Sequence, residues 1–251
     1  MALSTAVKLH RFTVRHPSQS LAEGWNVQPK WVSLGRIQRL LAPTPNQPAQ
    51  WKPFCWSSLA LQLTIATGNP IKVAEIEVML GPLPIDVRRQ PADLDVEETG
   101  SSYRENAELK AAAAALRTGQ WALADDSGLE VDALQGAPGL YSARYAEGND
   151  AKVKRILNEL GGSPYRSACF RSTMVLCDPS GICRAAAEGI CWGELLSAPA
   201  YPGGEFESLL WVREARCTYG ELNPAQLSRL GSRGKAARAL APKLRQLLDL
   251  G

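Results

Sequence analysis

Regular alternation of apolar positions begins at Leu61, Leu63 and Ile65, which predicts a strand over residues 61–66. Thr67-Gly68-Asn69 follows, with Asn69 a good helix cap and Pro70 suited to the first helical position. Val73, Ile76 and Leu80 then form a helical stripe that Gly81-Pro82 ends. Ile85-Asp86-Val87 predicts a second strand. An acidic loop, residues 93–98, runs through Glu97-Glu98-Thr99-Gly100 into Ser102-Tyr103-Arg104-Glu105, a capping-box pattern that opens an alanine-rich helix to about residue 116. Asn106 and Lys110, four apart, share one face of that helix.

The apolar run Trp121-Ala122-Leu123-Ala124 reads as a buried strand that ends at two adjacent carboxylates, Asp125 and Asp126, with Ser127-Gly128 as a turn. After the turn-rich Gly136-Ala137-Pro138-Gly139, residues 150–160 read as a helix ended by Gly161-Gly162. Residues 166–177 and 182–192, joined by Asp178-Pro179-Ser180-Gly181, predict a long hairpin. Tyr201-Pro202-Gly203-Gly204 is a loop, residues 209–212 a short strand and 218–222 a connector. A closing helix carries Ala237, Leu240, Leu244 and Leu247 on one face, with Ser232 as its cap. No internal repeat is visible.

Residues 1–60 show no sustained period apart from a short helix expected over 32–41, and we set them apart as an N-terminal extension to a domain of residues 61–251. They hold seven basic residues and one acid, Glu23, a composition that suits an organelle-targeting segment and equally an upstream start or a disordered extension. The overall charge of +3 therefore hides a slightly acidic main domain, with 21 basic and 24 acidic residues, which speaks against a nucleic-acid polymer as partner. No apolar run approaches the ~18 residues of a membrane span. Both histidines, His10 and His16, precede residue 60, so a His-based triad or a histidine metal site in the main domain is excluded. The six cysteines have no zinc or CxxC spacing, and free thiols in a reducing compartment such as the cytoplasm account for them.

Two stretches carry candidate chemistry. On a strand, Asp125 and Asp126 project to opposite faces, one into a cleft and the other toward neighbouring backbone donors. Magnesium needs only one or two carboxylates besides water and phosphate oxygens, so such a pair is enough for it, although Asp-Asp-Ser-Gly alone is more simply a turn. The strand-to-helix passage over residues 67–72 exposes backbone N–H groups at a helix N-terminus, where anions bind. Lys72 adds a cation in the first turn, where the helix dipole alone disfavours one; a phosphate partner explains it, as against an ordinary capped helix with a solvated lysine. Glu97 or Glu98, at a loop edge, is placed to approach the same cation.

Taken in order, Thr67-Gly68-Asn69 with Lys72, Glu97-Glu98-Thr99-Gly100, Tyr103 with Glu105-Asn106-Ala107 and Lys110, residues 124–129, and Gly136-Ala137-Pro138-Gly139 with residues 141–145 closely resemble the inosine triphosphate pyrophosphatase family. The resemblance covers about residues 61–250. It implies an α/β fold, a long twisted mixed β-sheet flanked by helices, two-lobed with a central cleft, and the homodimer usual for that family. It also implies an enzyme that converts inosine, deoxyinosine or xanthosine triphosphate to the monophosphate and pyrophosphate with Mg2+. Thr67, Gly68, Asn69 and Lys72 would then hold the triphosphate, and Glu97 or Glu98 with Asp126 the magnesium. Asp126 would also orient or deprotonate the attacking water, and Ser127 would contact the substrate. Phosphoryl transfer relies on positioning and electrostatics, so these roles need no nucleophilic side chain.

The second half departs from the family pattern. Where the family carries Gly-Gly-Phe-Gly-Tyr-Asp-Pro, this chain has Gly203-Gly204-Glu205-Phe206-Glu207-Ser208-Leu209, with Phe206 the candidate substitute for the aromatic platform. The family's Ser-His-Arg appears as Gly231-Ser232-Arg233, and its preceding lysine aligns with Leu227, so only Arg233 survives. Loss of buried polar partners relaxes or shifts base selection. Three readings follow: the family activity with an altered substrate range, a pyrophosphatase for pyrimidine or modified nucleotides, or a catalytically idle homologue that binds a nucleotide or a partner.

Overall fold

The computed structural model describes residues 61–250. The extension to residue 60, its boundary and the helix expected over 32–41 lie outside the described residues.

A seven-stranded mixed sheet forms the centre, and its long middle strands are what carry the site. In chain order the strands are β1 (Gln62–Ile65), β2 (Asp86–Arg89), β3 (Trp121–Val131), β4 (Ser167–Cys177), β5 (Cys183–Leu195), β6 (Leu210–Val212) and β7 (Cys217–Thr218). Their spatial order is β2-β1-β3-β4-β5-β6-β7. β1 runs parallel to both β2 and β3, and every later pairing is antiparallel. The parallel part needs helical crossovers, which α1 (Pro70–Leu80) and α2 (Tyr103–Thr118) supply, whereas β4 and β5 close through the expected tight turn at Asp178.

Residues 125–128 are not a turn. β3 runs through them in an unbroken ladder with β4, from Ala122 opposite Cys177 to Val131 opposite Ala168. The local turn preference of Asp, Ser and Gly yields to the ladder's hydrogen bonds, and Gly128 is needed there for another reason. A Cβ at Gly128 would sit 2.7 Å from the Tyr103 hydroxyl, 2.8 Å from Ser142 Oγ and closer still to the Gly139 carbonyl. The loop after β3 is thus pressed onto the strand, and Ser142 Oγ fixes it by accepting from Leu129 N and donating to Gly139 O.

Alternation along β3 separates the two faces. Leu123 packs with Leu63, Ile65, Ile76, Met174 and Leu240 beneath α1 and the closing helix α5 (Ser232–Leu247), which follows α3 (Asn149–Leu160) and α4 (Pro224–Leu230) in the chain. Ala122 and Ala124 face Ala107, Ala111 and Ala114 of α2 on the other side, small residues on both surfaces that bring helix and sheet close. Beyond the acidic positions, Leu129 and Val131 enter a second core with Val153 and Ile156 of α3 and with Phe206, Leu209 and Leu210. Two cores at the two ends of β3 and β4 leave a cleft of about 520 Å³ between them.

Two sequence expectations about helix starts change. Ser102 does cap α2, accepting from Glu105 N, but Glu105 reaches back to Ser101 N and Oγ, one residue beyond the expected partner. Ser232 is not the cap of α5: it is the first helical residue, buried, with Oγ 2.9 Å from Ser172 Oγ, and the cap position falls to Gly231. The helix start lies on the β5 backbone, where a Cβ at Gly189 would meet Lys235 Cβ at 2.7 Å and Ser232 O more closely. Helix α4 was not expected, although Asn223-Pro224-Ala225-Gln226 is a complete capping box with proline at the first turn. Among the described residues no helix is long and apolar enough to cross a membrane.

Candidate active site

The two carboxylates at the middle of β3 point to opposite faces, as the strand period requires, and both are buried. Among the described residues neither carboxylate accepts from a backbone donor, contrary to the expectation for one of them. Asp125 Oδ2 accepts from Arg233 Nε at 3.1 Å and Ser127 Oγ at 3.3 Å, with Lys72 Nζ at 3.9 Å. Asp126 accepts from Lys110 Nζ at 2.9 Å and Asn106 Nδ2 at 3.3 Å. Side chains from α1, α2 and α5 therefore hold what the sheet presents.

On the α2 face, Lys110 is the hub. Its ammonium donates to Glu98 Oε1 at 2.8 Å, Asp126 Oδ1 at 2.9 Å and the Asp125 carbonyl at 3.0 Å, using all three of its donors. Asn106, one turn earlier, accepts from Gly100 N at 2.8 Å through Oδ1 while its amide donates to Asp126, so one side chain fixes both the acidic loop and the strand carboxylate. Arg144 flanks Glu98 at 3.6 Å. On the other face, Arg233 donates from Nε to Asp125, from Nη1 to Glu75 at 2.7 Å and from Nη2 to Ser127 at 3.4 Å.

Burial and charge oppose one another at each group. Burial works to raise the Asp125 carboxyl, but Arg233, Lys72 and Lys110 outweigh it and hold it below its ordinary value. At Asp126 burial prevails, reinforced by Glu98 against the pull of Lys110, and the carboxyl is raised. Burial alone would lower Lys110, but Asp126 and Glu98 hold it above the ordinary lysine value, whereas Lys72 is lowered by burial despite Asp125. Glu98 lies below its usual range because Lys110 and Arg144 overcome its burial. The asymmetry leaves Asp125 the more acidic and Asp126 the more basic of the two.

The remaining expected residues are placed as follows. Thr67 Oγ1 accepts from Asn69 N at 3.2 Å at the start of α1, whose first turn contains no acid, and Gly68 and Asn69 are exposed there. Asn69, Lys72, Ser127, Phe206 and Arg233 line one cleft. Glu97 is exposed and makes no side-chain hydrogen bond or ion pair among the described residues, so of the two loop glutamates it is Glu98 that joins Asp126 through Lys110. Phe206 borders the cleft but is only 2% exposed, edge-on to Tyr145 within the second core, and so offers a wall instead of an open platform. The half-buried rings that line the cleft are Phe170 and Tyr219, 4.6 Å apart. Leu227 packs against the hydrophobic cores instead of supplying a polar group.

Lys110 and Asn106 are central here although the sequence offered them only a shared helix face and a place among the family-like motifs, without a role; the signal was their spacing in register with an acidic loop. Glu75, Phe170, Ser172 and Tyr219 had no local signal, since only tertiary packing brings them to the cleft.

For a divalent cation, the donor set is informative. Among the described residues no three His, Cys, Asp or Glu side chains cluster into a self-sufficient cage. Glu98 and Asp126 nevertheless converge on one ammonium, and two carboxylates completed by phosphate oxygens and water suit magnesium. A cysteine nucleophile does not suit the site: burial pushes the Cys169 and Cys177 thiols up to about 12 and Cys191 to about 11.

Comparison with known proteins agrees with this geometry. Residues 63–243 match the model of the Ham1 family. A dITP/XTP pyrophosphatase of Nostoc sp. is 42% identical over 188 residues, covering 74% of this chain and 96% of that protein. One of Synechococcus sp. is 44% identical over 188 residues, covering 74% and 91%. Among solved structures, a HAM1 protein from Coxiella burnetii superposes with a TM-score of 0.68 at 33% identity, covering 74% of this chain and 99% of that one. The Staphylococcus aureus Ham1 protein gives 0.66 at 32%, covering 74% and 99%. The chain is a member of the Ham1 family.

Proposed function

We propose that this protein hydrolyses inosine, deoxyinosine and xanthosine triphosphates to the monophosphate and pyrophosphate, with magnesium as cofactor. The observation that carries the reading is the Glu98-Lys110-Asp126 cluster beside the N-terminus of α1 and Lys72. Thr67, Gly68, Asn69 and Lys72 hold the triphosphate, through backbone N–H groups, the helix dipole and one ammonium. Glu98 and Asp126 hold magnesium. When bound, the metal neutralises phosphate charge and lowers the pKa of a bound water.

Asp126 orients the attacking water and accepts its proton. Lys110 and Asn106 keep that carboxylate in place, and Arg233 holds Asp125, which in turn receives Ser127. Ser127 and Arg233, both on the cleft wall, contact the substrate, and Phe206 walls the base end. Five cysteines, all free among the described residues, fit a reducing compartment, the cytoplasm or an organelle interior.

The test is product analysis on purified protein with magnesium and inosine triphosphate. The expected products are inosine monophosphate and pyrophosphate, with turnover falling about 10²–10⁴-fold in Asp126→Asn. Release of orthophosphate in place of pyrophosphate, or full activity in that variant, contradicts the reading.

A further inference from the structure

We propose that Lys152 and Glu205 form the base-reading pair of this enzyme, selecting bases that present a keto oxygen beside a ring N–H. The proposal rests on the pyrophosphatase reading above and assigns the recognition that Leu227 and Ser232 do not supply.

Both residues line the cleft that also holds Lys72 and Arg233. Lys72 belongs to the α1 wall; Lys152, in the first turn of α3, and Glu205, just before Phe206, form the wall beside the second core. Lys152 is only 8% exposed, and its sole polar contact among the described residues is Nζ to Glu205 Oε1 at 2.9 Å. An ammonium has three donors, so two of them remain for a ligand in the cleft that Lys152 lines. The second carboxylate oxygen of Glu205 is likewise without a partner among the described residues.

A tie between α3 and the loop does not account for this pair. Asn149 Nδ2 already donates to Gly203 O at 3.1 Å, and Ser208 Oγ to Glu205 O at 2.6 Å, while Glu205 N donates to Glu207 Oε1 at 2.9 Å. The loop is fixed through its backbone, and the Glu205 side chain is presented, not consumed. A cation buried in the first turn of a helix is moreover opposed both by desolvation and by the dipole. A ligand that uses its free donors offsets both.

A donor and an acceptor side by side are complementary to the C6=O and N1–H of hypoxanthine, xanthine and guanine, and to the C4=O and N3–H of uracil. Adenine and cytosine present the reverse, an amino group against the ammonium and a ring lone pair against the carboxylate. Unpaired buried groups make that mismatch costly.

The experiment compares the wild-type full chain with Lys152→Met, Lys152→Arg and Glu205→Gln. It measures kcat/KM for pyrophosphate release from inosine, uridine, adenosine and cytidine triphosphates, and calorimetric binding of inosine and adenosine monophosphates. The wild type is expected to favour inosine over adenosine and uridine over cytidine at least about tenfold. Lys152→Met and Glu205→Gln should bring those ratios near unity, and Lys152→Arg should retain them. A structural pair would lower all four substrates together, so unchanged ratios in Lys152→Met and Glu205→Gln overturn the proposal, as does a wild type without preference. If Lys152→Met fails to fold, the isosteric Glu205→Gln decides. If no triphosphate releases pyrophosphate, the function proposed above falls, and the monophosphate binding ratio still decides the base-reading role.

Discussion

The two ends of the proposed site keep their polar groups in place by different means. At the proposed phosphate end charges are shared on both faces of the sheet: Lys110 on the α2 face has three acceptors, and on the cleft face Arg233 has three and Asp125 three donors or cations. At the base end, neutral hydroxyls meet one another, Ser172 with Ser232 and Tyr219 3.5 Å from Ser232, beside the single ion pair of Lys152 with Glu205. A shared charge network constrains each member through the others, so changing one residue strands the rest. A wall of hydroxyls and rings has no such lock.

The difference can be broken most severely at Arg233. Arg233→Met should cost about 3–5 kcal/mol of stability, because it strips the buried Asp125 of its principal counter-charge, and denaturant unfolding measures it. An effect below about 1 kcal/mol, the scale of an exposed pair, would show that the network does not constrain Asp125. Gly128, between the two ends, comes next. Gly128→Ala forces a Cβ against the Gly139 carbonyl and the Tyr103 hydroxyl, with an expected loss of about 1–3 kcal/mol in the same measurement. Unchanged stability would mean that the loop after β3 is not pressed onto the strand.

The smallest effect lies outside the cleft and sharpens the comparison as a control. Asp178, in the β4–β5 turn, is held down to about 2 from 3.8, first by its hydrogen bond from Ser180 and then by Arg184. A depressed carboxyl stabilises the fold above its unfolded value and loses that contribution as pH falls through the folded one. Asp178→Asn should therefore be less stable than wild type above pH 3.8, with the difference disappearing as pH falls through about 2. Thermal melting across that range reads it, and turnover at neutral pH should stay unchanged.

The same contrast governs what could be read in the sequence. Elements set by local periodicity were legible: β1, the Pro70 helix start, the alanine face of α2, and the β4–β5 hairpin. Residues 125–128 misled because turn preference is local while the ladder with β4 is not. Ser232 misled in the same way, since its position on the β5 backbone, set by Gly189, overrides a good capping residue. In the site, Lys72, Glu98 and Asp126 carried signals because charge at a strand end, a loop edge or a helix start is conspicuous. Phe170, Tyr219 and Lys152 carried none: they read as ordinary core or surface positions until α3 and the loop of Glu205 close on the sheet.

The most direct test of the two-ended account is the inosine to adenosine triphosphate ratio of kcat/KM in Glu98→Gln. Weakening the metal and phosphate end should lower both substrates together, by a factor on the order of a hundred or more, and leave their ratio at the wild-type value. A ratio that moves with Glu98 would contradict it, because phosphate chemistry and base selection would then share one set of groups.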